Sequence, residues 1–182
     1  MATDSVRRPA VIVVTGVMAS GKSTVAQLLA ERLDKSVHLR GDLFRRMIVN
    51  DRKEVEPDAS EEELGQLLLR YRLAAQAADT YAAAGFTVVV QDVIVGAVLE
   101  DFLSFLQSRP VYLVVLCPSP EAVEQREAQR SKKGYGAWTV DALNRVLHDE
   151  TPRIGLWLDS SSLTPGETAD QIMSSLEEAK IR

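Results

Sequence analysis

Val11-Ile12-Val13-Val14-Thr15-Gly16-Val17-Met18-Ala19-Ser20-Gly21-Lys22-Ser23-Thr24 is the stretch on which the fold of this chain turns. Its first five residues form a β-branched run, as expected of a strand buried on both faces. Gly16 to Ser23 then complete the pattern G-x-x-x-x-G-K-[ST], and Val25, Leu28, Leu29 and Leu33 follow at helical spacing. Strand, glycine turn and helix in that order make a phosphate-binding loop. The glycines let the backbone curl until successive N–H groups face one anion, and the helix adds its positive N-terminal end. Lys22 supplies a mobile charge for the β- and γ-phosphates, and Ser23 is the expected Mg²⁺ ligand. The expected nucleotide contacts are Gly16, Val17, Met18, Ala19, Ser20, Gly21, Lys22, Ser23 and Thr24. The competing reading, a glycine turn with a surface lysine, does not account for the strand before it and the helix after it.

Outward from this loop, apolar segments run along all 182 residues, and 46% of the chain is hydrophobic, enough to bury one sizeable core. A single domain, 1–182, is expected. Short β-rich runs alternate with longer helical patterns, the signature of an α/β fold with a parallel sheet covered on both faces. Five strands are predicted, near Val11 to Thr15, Val37 to Arg40, Thr87 to Gln91, Val111 to Cys117 and Leu156 to Asp159. Ser60-Glu61-Glu62-Glu63 is a capping box for a long helix through Leu64, Leu67, Leu68, Tyr71, Ala75, Ala78 and Tyr81, which Gly85 ends. Thr164-Pro165-Gly166-Glu167 opens the last helix in the same way.

The net charge is −5 with no long Lys/Arg block, which argues against extended nucleic-acid binding and favours a small-molecule partner. The single cysteine, Cys117, cannot build a disulfide framework or a zinc cluster within this chain, and it reads as a core thiol. Neither an export signal nor a membrane span is visible, so a cytoplasmic protein is expected. Oligomeric state is not written in the pattern.

Ligands of open α/β sheets bind at the carboxyl ends of the strands, and two aspartates stand there. Asp42 follows the second strand, where a carboxylate can take a proton from an attacking substrate hydroxyl. Its competing role is a helix N-cap or an ion pair with Arg45 or Arg46, three and four residues on. Asp92 ends the third strand and resembles a carboxylate that holds Mg²⁺ directly or through water, with substrate binding or helix capping as rivals. Arg126 and Arg130 lie one turn apart on a helix begun by Ser119-Pro120, where a bound anion would relieve their mutual repulsion. Ser131-Lys132-Lys133-Gly134-Tyr135-Gly136 reads as the hinge of a closing lid. An ordinary solvated helix with a Glu127–Arg130 pair is the alternative. Arg40 and Arg45 are expected substrate contacts, with Arg46, Arg70 and Arg72 as further candidates.

Ile48 to Ser60 reads as an exposed acidic connection beside the acceptor site. His38 and His148 are isolated, and Trp138 and Trp157 read as packing residues before base-stacking ones.

These elements together resemble the small P-loop kinases, and within them the chloramphenicol phosphotransferase family of antibiotic-modifying enzymes. The resemblance rests on the Gly16–Ser23 loop, Gly41-Asp42-Leu43, the stretch Val88 to Gly96 and the arginine-bearing helix after Cys117. It implies a three-layer P-loop NTPase fold of the nucleoside-monophosphate-kinase type with a five-stranded parallel sheet and a small helical lid near residues 126–138. It also implies ATP with Mg²⁺ as donor (GTP being the alternative), an aspartate placed like Asp42 as the base, and O-phosphorylation of a small hydroxylated molecule. Gln91 departs from the pattern by standing where the family often has an acidic residue. Polynucleotide 5′-hydroxyl kinases share an arrangement like Arg40-Gly41-Asp42, though overall acidity argues against that reading. Gluconate-type and adenylylsulfate-type kinases share the skeleton. A nucleotide-hydrolysing switch is the alternative outside the kinases, and the lack of an Asn-Lys-x-Asp segment counts against its GTPase form.

Overall fold

The computed structural model describes residues 9–131 and 134–182; residues 1–8 and the Lys132-Lys133 pair of the expected hinge lie outside the described residues. In chain order come β1 (Val11–Gly16), α1 (Lys22–Glu31), β2 (Ser36–Arg40), α2 (Asp42–Arg46), α3 (Glu61–Ala83) and β3 (Thr87–Gln91). They are followed by α4 (Val98–Phe105), β4 (Val111–Leu116), α5 (Pro120–Gln129), α6 (Val140–Arg145), β5 (Leu156–Leu158) and α7 (Pro165–Ser174). The five strands form one parallel sheet in the order β2-β3-β1-β4-β5, each within a residue of its expected bounds.

Strand period decides how the two faces are filled. Val11 and Val13 of β1, Val88 and Val90 of β3, and Val111, Leu113 and Val115 of β4 point to one side, against Leu67, Tyr71, Ala75 and Ala78 of α3 and Leu99 and Phe102 of α4. Ile12, Val14, Val89, Val114 and Leu116 point to the other, against Val25, Ala26 and Leu29 of α1 and Ala169 and Ile172 of α7. β1 lies at the centre, and all six of its residues are buried, which is why it reads as an unbroken apolar run. Both predicted capping boxes form: the Ser60 side chain accepts from the Glu63 N–H, and the Thr164 side chain from the Glu167 N–H. Gly85 follows α3 with φ of 87°, the left-handed conformation that ends a helix.

Cys117 is half-buried, and burial pushes its thiol up, so it behaves as an inert packing group. Among the described residues no helix is long and apolar enough to cross a membrane. Between α5 and α6, residues 130, 131 and 134–139 run as an irregular strap.

Tyr71 ties the long helix to the carboxyl end of β3. Its ring is 1% exposed and meets Phe102 edge-on at 5.6 Å, while its hydroxyl donates to Val93 O at 2.6 Å. Tyr71→Phe keeps the ring and leaves a half-buried carbonyl without its donor, so it is expected to cost about 1–2 kcal/mol of stability. Urea unfolding reads this directly, and a change below about 0.3 kcal/mol would mean that the hydroxyl contributes nothing net.

Candidate active site

β1 delivers the loop at the centre of the sheet's carboxyl edge. Gly16 has φ of 147°, and a Cβ built there would run into the Leu116 carbonyl of β4, so only glycine lets the loop leave the sheet at this point. Ala19 and Gly21 turn the chain at φ of 62° and 94°. Lys22 then begins α1, and its side chain folds back across the loop to donate to Val17 O at 2.8 Å. At 8% exposure, burial pulls the Lys22 ammonium down to about 8, with Arg130 adding to the fall and Asp92 opposing it. An oxyanion in the loop would give this desolvated cation a partner. Ser23 Oγ donates to Gln91 Oε1 at 3.2 Å, which fixes the direction of its lone pairs.

The two aspartates stand side by side because β2 and β3 pair in register, Arg40 opposite Gln91, and Gly41 N donates to Gln91 O at 3.0 Å. A side chain at Gly41 would collide with the Asp92 carboxylate, so glycine is what allows the two acids to approach. Their surroundings differ. Asp42 Oδ1 accepts from Arg45 Nε at 2.9 Å and its Oδ2 from Arg46 Nε at 2.6 Å. Burial pushes Asp42 up, but the Arg45 hydrogen bond and the charges of Arg45 and Arg46 outweigh it and hold the carboxyl below the usual range. The ion pairs foreseen as the competing role of Asp42 are therefore both formed. Asp92 is half-buried, and burial raises its carboxyl despite Arg70, the Val93 N–H at 2.8 Å and Lys22; the charge on Asp42 raises it further.

Across the sheet edge lie the expected lid residues. Arg126 forks between Ser20 O of the loop at 3.3 Å and Ser160 O after β5 at 2.7 Å, clasping two backbone segments. Arg130 pairs with Glu127 at 3.1 Å, as the alternative reading had it, and its charge still reaches Lys22. Beyond it the strap returns to the loop. Gly134 N donates to Glu127 Oε1 at 2.6 Å, and Tyr135 OH donates to Met18 O at 2.8 Å. Trp138 Nε1 donates to Val55 O at 2.9 Å in the acidic connection. One short segment thus touches both the phosphate loop and the connection that follows α2.

That connection is anchored as well as solvated. Gln66 of α3 accepts from Lys53 N and donates to Asp51 O, both at 2.8 Å, and Arg45 reaches Glu54. Arg40 is exposed at the rim of a cavity of about 330 Å³, lined by Ser23, Thr24, Gln27 and His38, on the α1 side of β2. His38 hydrogen-bonds Gln27, and His148 approaches Arg153.

A family model described as an AAA domain matches residues 11–149, from the first residue of β1 to the turn after α6. The chain belongs to this AAA-domain family. No curated protein matches it in sequence. Solved structures match it in fold. A sugar kinase from Janibacter sp. is 19% identical with a TM-score of 0.67, over 94% of this chain and 96% of that one. The Deinococcus radiodurans tunicamycin resistance protein is 17% identical with a TM-score of 0.67, over 96% and 99%. The Mycobacterium tuberculosis APS kinase, solved with AMPPNP and APS, is 18% identical with a TM-score of 0.66, over 93% and 98%. The architecture of this AAA-domain chain is that of the P-loop kinases, with a five-stranded parallel sheet and helices on both sides.

Of the residues expected at the site, the fold gathers Lys22, Ser23, Asp42, Asp92 and Arg130 at one edge, sets Arg126 behind the loop, and leaves Arg40 at the flank. Sequence reasoning missed the spacer role of Gly41, the orienting role of Gln91 and the attachment of Tyr135. Gly41 carried a local signal, a glycine directly before a strand-end acid. Tyr135 carried none, since its partner Met18 is 117 residues away.

Proposed function

We propose that the protein is an ATP-dependent phosphotransferase that uses Mg²⁺ to move the γ-phosphate to a hydroxyl of a small molecule. An antibiotic or related natural product is the acceptor class, and GTP is the alternative donor. The observation that carries the reading is the convergence of Lys22 and Ser23 with two adjacent carboxylates, Asp42 and Asp92, at the carboxyl edge of the sheet. The resemblance to chloramphenicol phosphotransferases and the fold shared with a tunicamycin resistance protein support the acceptor class.

The residues fit the nucleotide and its cation. The desolvated Lys22 and the curled loop suit phosphate oxygens, while Ser23 Oγ and the Asp92 carboxylate are the hard oxygen donors that Mg²⁺ takes. Among the described residues no group of three or more His, Cys, Asp or Glu is gathered as a metal cage, so these two would hold the ion together with phosphate oxygens. When bound, the nucleotide with Mg²⁺ supplies the transferable phosphoryl group in charge-neutralised form.

Asp42 then orients the acceptor. Each carboxylate oxygen keeps a lone pair beyond its arginine bond, and one of them accepts the hydroxyl O–H. A doubly paired carboxylate is a weak base, which suits a loose transition state in which the proton leaves late and positioning matters most. Arg130 adds positive charge beside Lys22, and Tyr135 and Trp138 tie the strap to the phosphate loop and to the connection after α2.

Acceptor dependence tests the reading. ADP release should rise at least about tenfold over the basal rate when a hydroxylated acceptor is added, whereas hydrolysis indifferent to every acceptor would point to a switch. The Trp138 tie adds a second expectation. Trp138→Phe keeps an aromatic group but loses the indole N–H and its bond to Val55 O, so acceptor KM should rise about three- to tenfold with ATP KM unchanged. Equal changes in both constants would mean that the strap does not favour the acceptor side.

A further inference from the structure

Three residues of α3 share one helix face at spacings of three and four: Glu63, Gln66 and Arg70. The first two are spent on the connection after α2. Glu63 accepts from Glu56 N at 3.2 Å, and Gln66 holds the backbone at Lys53 and Asp51. At the next turn Tyr71 docks the helix on Val93, the residue after Asp92. Arg70 therefore stands between the segment that borders the acceptor side and the Asp92 carboxylate.

Arg70 has no partner there. Among the described residues no hydrogen bond or ion pair reaches it, and its Nε is shut off from solvent without an acceptor. Its charge is felt at Asp92, yet Asp92 Oδ1 is bonded to the Val93 N–H instead. Neighbouring cations on this side are satisfied: Arg45 pairs with Asp42 and Glu54, and Arg46 pairs with Asp42. Buried guanidinium donors are ordinarily paired, and the planar fork of arginine matches a carboxylate, sulfate or phosphate through two parallel bonds. A half-buried arginine with a sealed, empty Nε is thus half of an oxyanion site.

We propose that Arg70 holds an anionic group on the acceptor itself, so that the preferred substrate is a hydroxylated acid and not its neutral counterpart. The proposal rests on the phosphotransferase reading and narrows its substrate. The acceptor is assigned as the source of the anion because α3 carries Arg70 on the face that anchors residues 51–56. The cations facing the nucleotide, Lys22 and Arg130, come from α1 and from the end of α5. With the acid seated on Arg70, its hydroxyl would be left to face Asp42.

Titration calorimetry tests this without turnover. With the phosphate loop saturated by Mg·AMPPNP, matched probes are compared: gluconate against glucose, and glycerol 3-phosphate against glycerol. At least one acid should bind about tenfold or more tightly than its neutral partner. Arg70→Gln should abolish that preference, Arg70→Lys should keep part of it, and AMPPNP affinity should stay within about twofold in both, which shows that the variants are folded. Equal binding of acid and neutral probes, no binding of either acid, or a preference that survives Arg70→Gln would overturn the assignment. Acid binding that depends on Arg70 without phosphoryl transfer to any acceptor would remove the phosphotransferase reading and leave the anion site standing.

Discussion

Lys22→Ala is expected to lower kcat/KM for ATP by about 10³-fold while leaving the protein folded. The loss follows from where the ammonium sits. It is almost wholly withdrawn from water and bonded only to a carbonyl of its own loop, so an incoming phosphate oxygen meets a charge that solvent does not screen. Removing one preorganised donor of this kind costs on the order of 10²- to 10³-fold, and the upper end is expected where the donor is a full charge. Stability should move the other way. The folded group titrates at about 8 against an ordinary value of 10.5, so between those pH values the unfolded chain binds the extra proton. The stability of the ligand-free protein therefore rises with pH across that window, and Lys22→Ala should flatten the rise. Thermal melts from pH 7.5 to about 10.5 read the effect; a variant that melts earlier at every pH, with kcat/KM near normal, would contradict the loop assignment.

Asp42→Asn is the second large expectation, a loss of about 10²-fold or more in kcat with nucleotide affinity retained. Asparagine keeps the shape and one carbonyl oxygen but no longer takes a proton, and it holds two arginines with one acceptor. The fold should tolerate the change. The Arg45 and Arg46 pairs are partly exposed, and such pairs contribute little to stability. Single-turnover measurements with ATP already bound isolate the chemical step. Near-normal transfer there would remove Asp42 as the group that receives the acceptor's proton.

Much of this architecture was legible because the decisive signals are local. β1 announces itself by its unbroken apolar run, the loop by its glycines and lysine, and α3 and α7 by boxes that close over three residues. Asp42 and Asp92 were found because strand ends are predictable. The ion pairs of Asp42 were also foreseeable, since Arg45 and Arg46 are its next-turn neighbours. What the chain hides is what folding brings from afar. The charge of Arg70 is felt at Asp92, 22 residues later, Trp138 bonds Val55 across 83 residues and Arg126 bonds Ser20 across 106, and no period in the sequence encodes those approaches. α2 showed itself only at its start, as the helix cap or first-turn pairing of Asp42, because five residues are too few for a helical period to show. The contrast between a depressed Asp42 and a raised Asp92 was hidden for the same reason, because it depends on which cations end up bonded and which merely near.

The proposed reaction moves phosphate from ATP to a hydroxyl on a second molecule. Its most direct test follows γ-labelled ATP with Mg²⁺ and a panel of hydroxylated antibiotics, sugar acids, nucleosides and 5′-hydroxyl oligonucleotides, run beside Asp42→Asn. The expected product is a labelled, base-stable phosphate ester on a small molecule, made by the unaltered protein and reduced about 10²-fold in the variant. Label that appears only as inorganic phosphate, at the same rate with every acceptor and in both proteins, would contradict it.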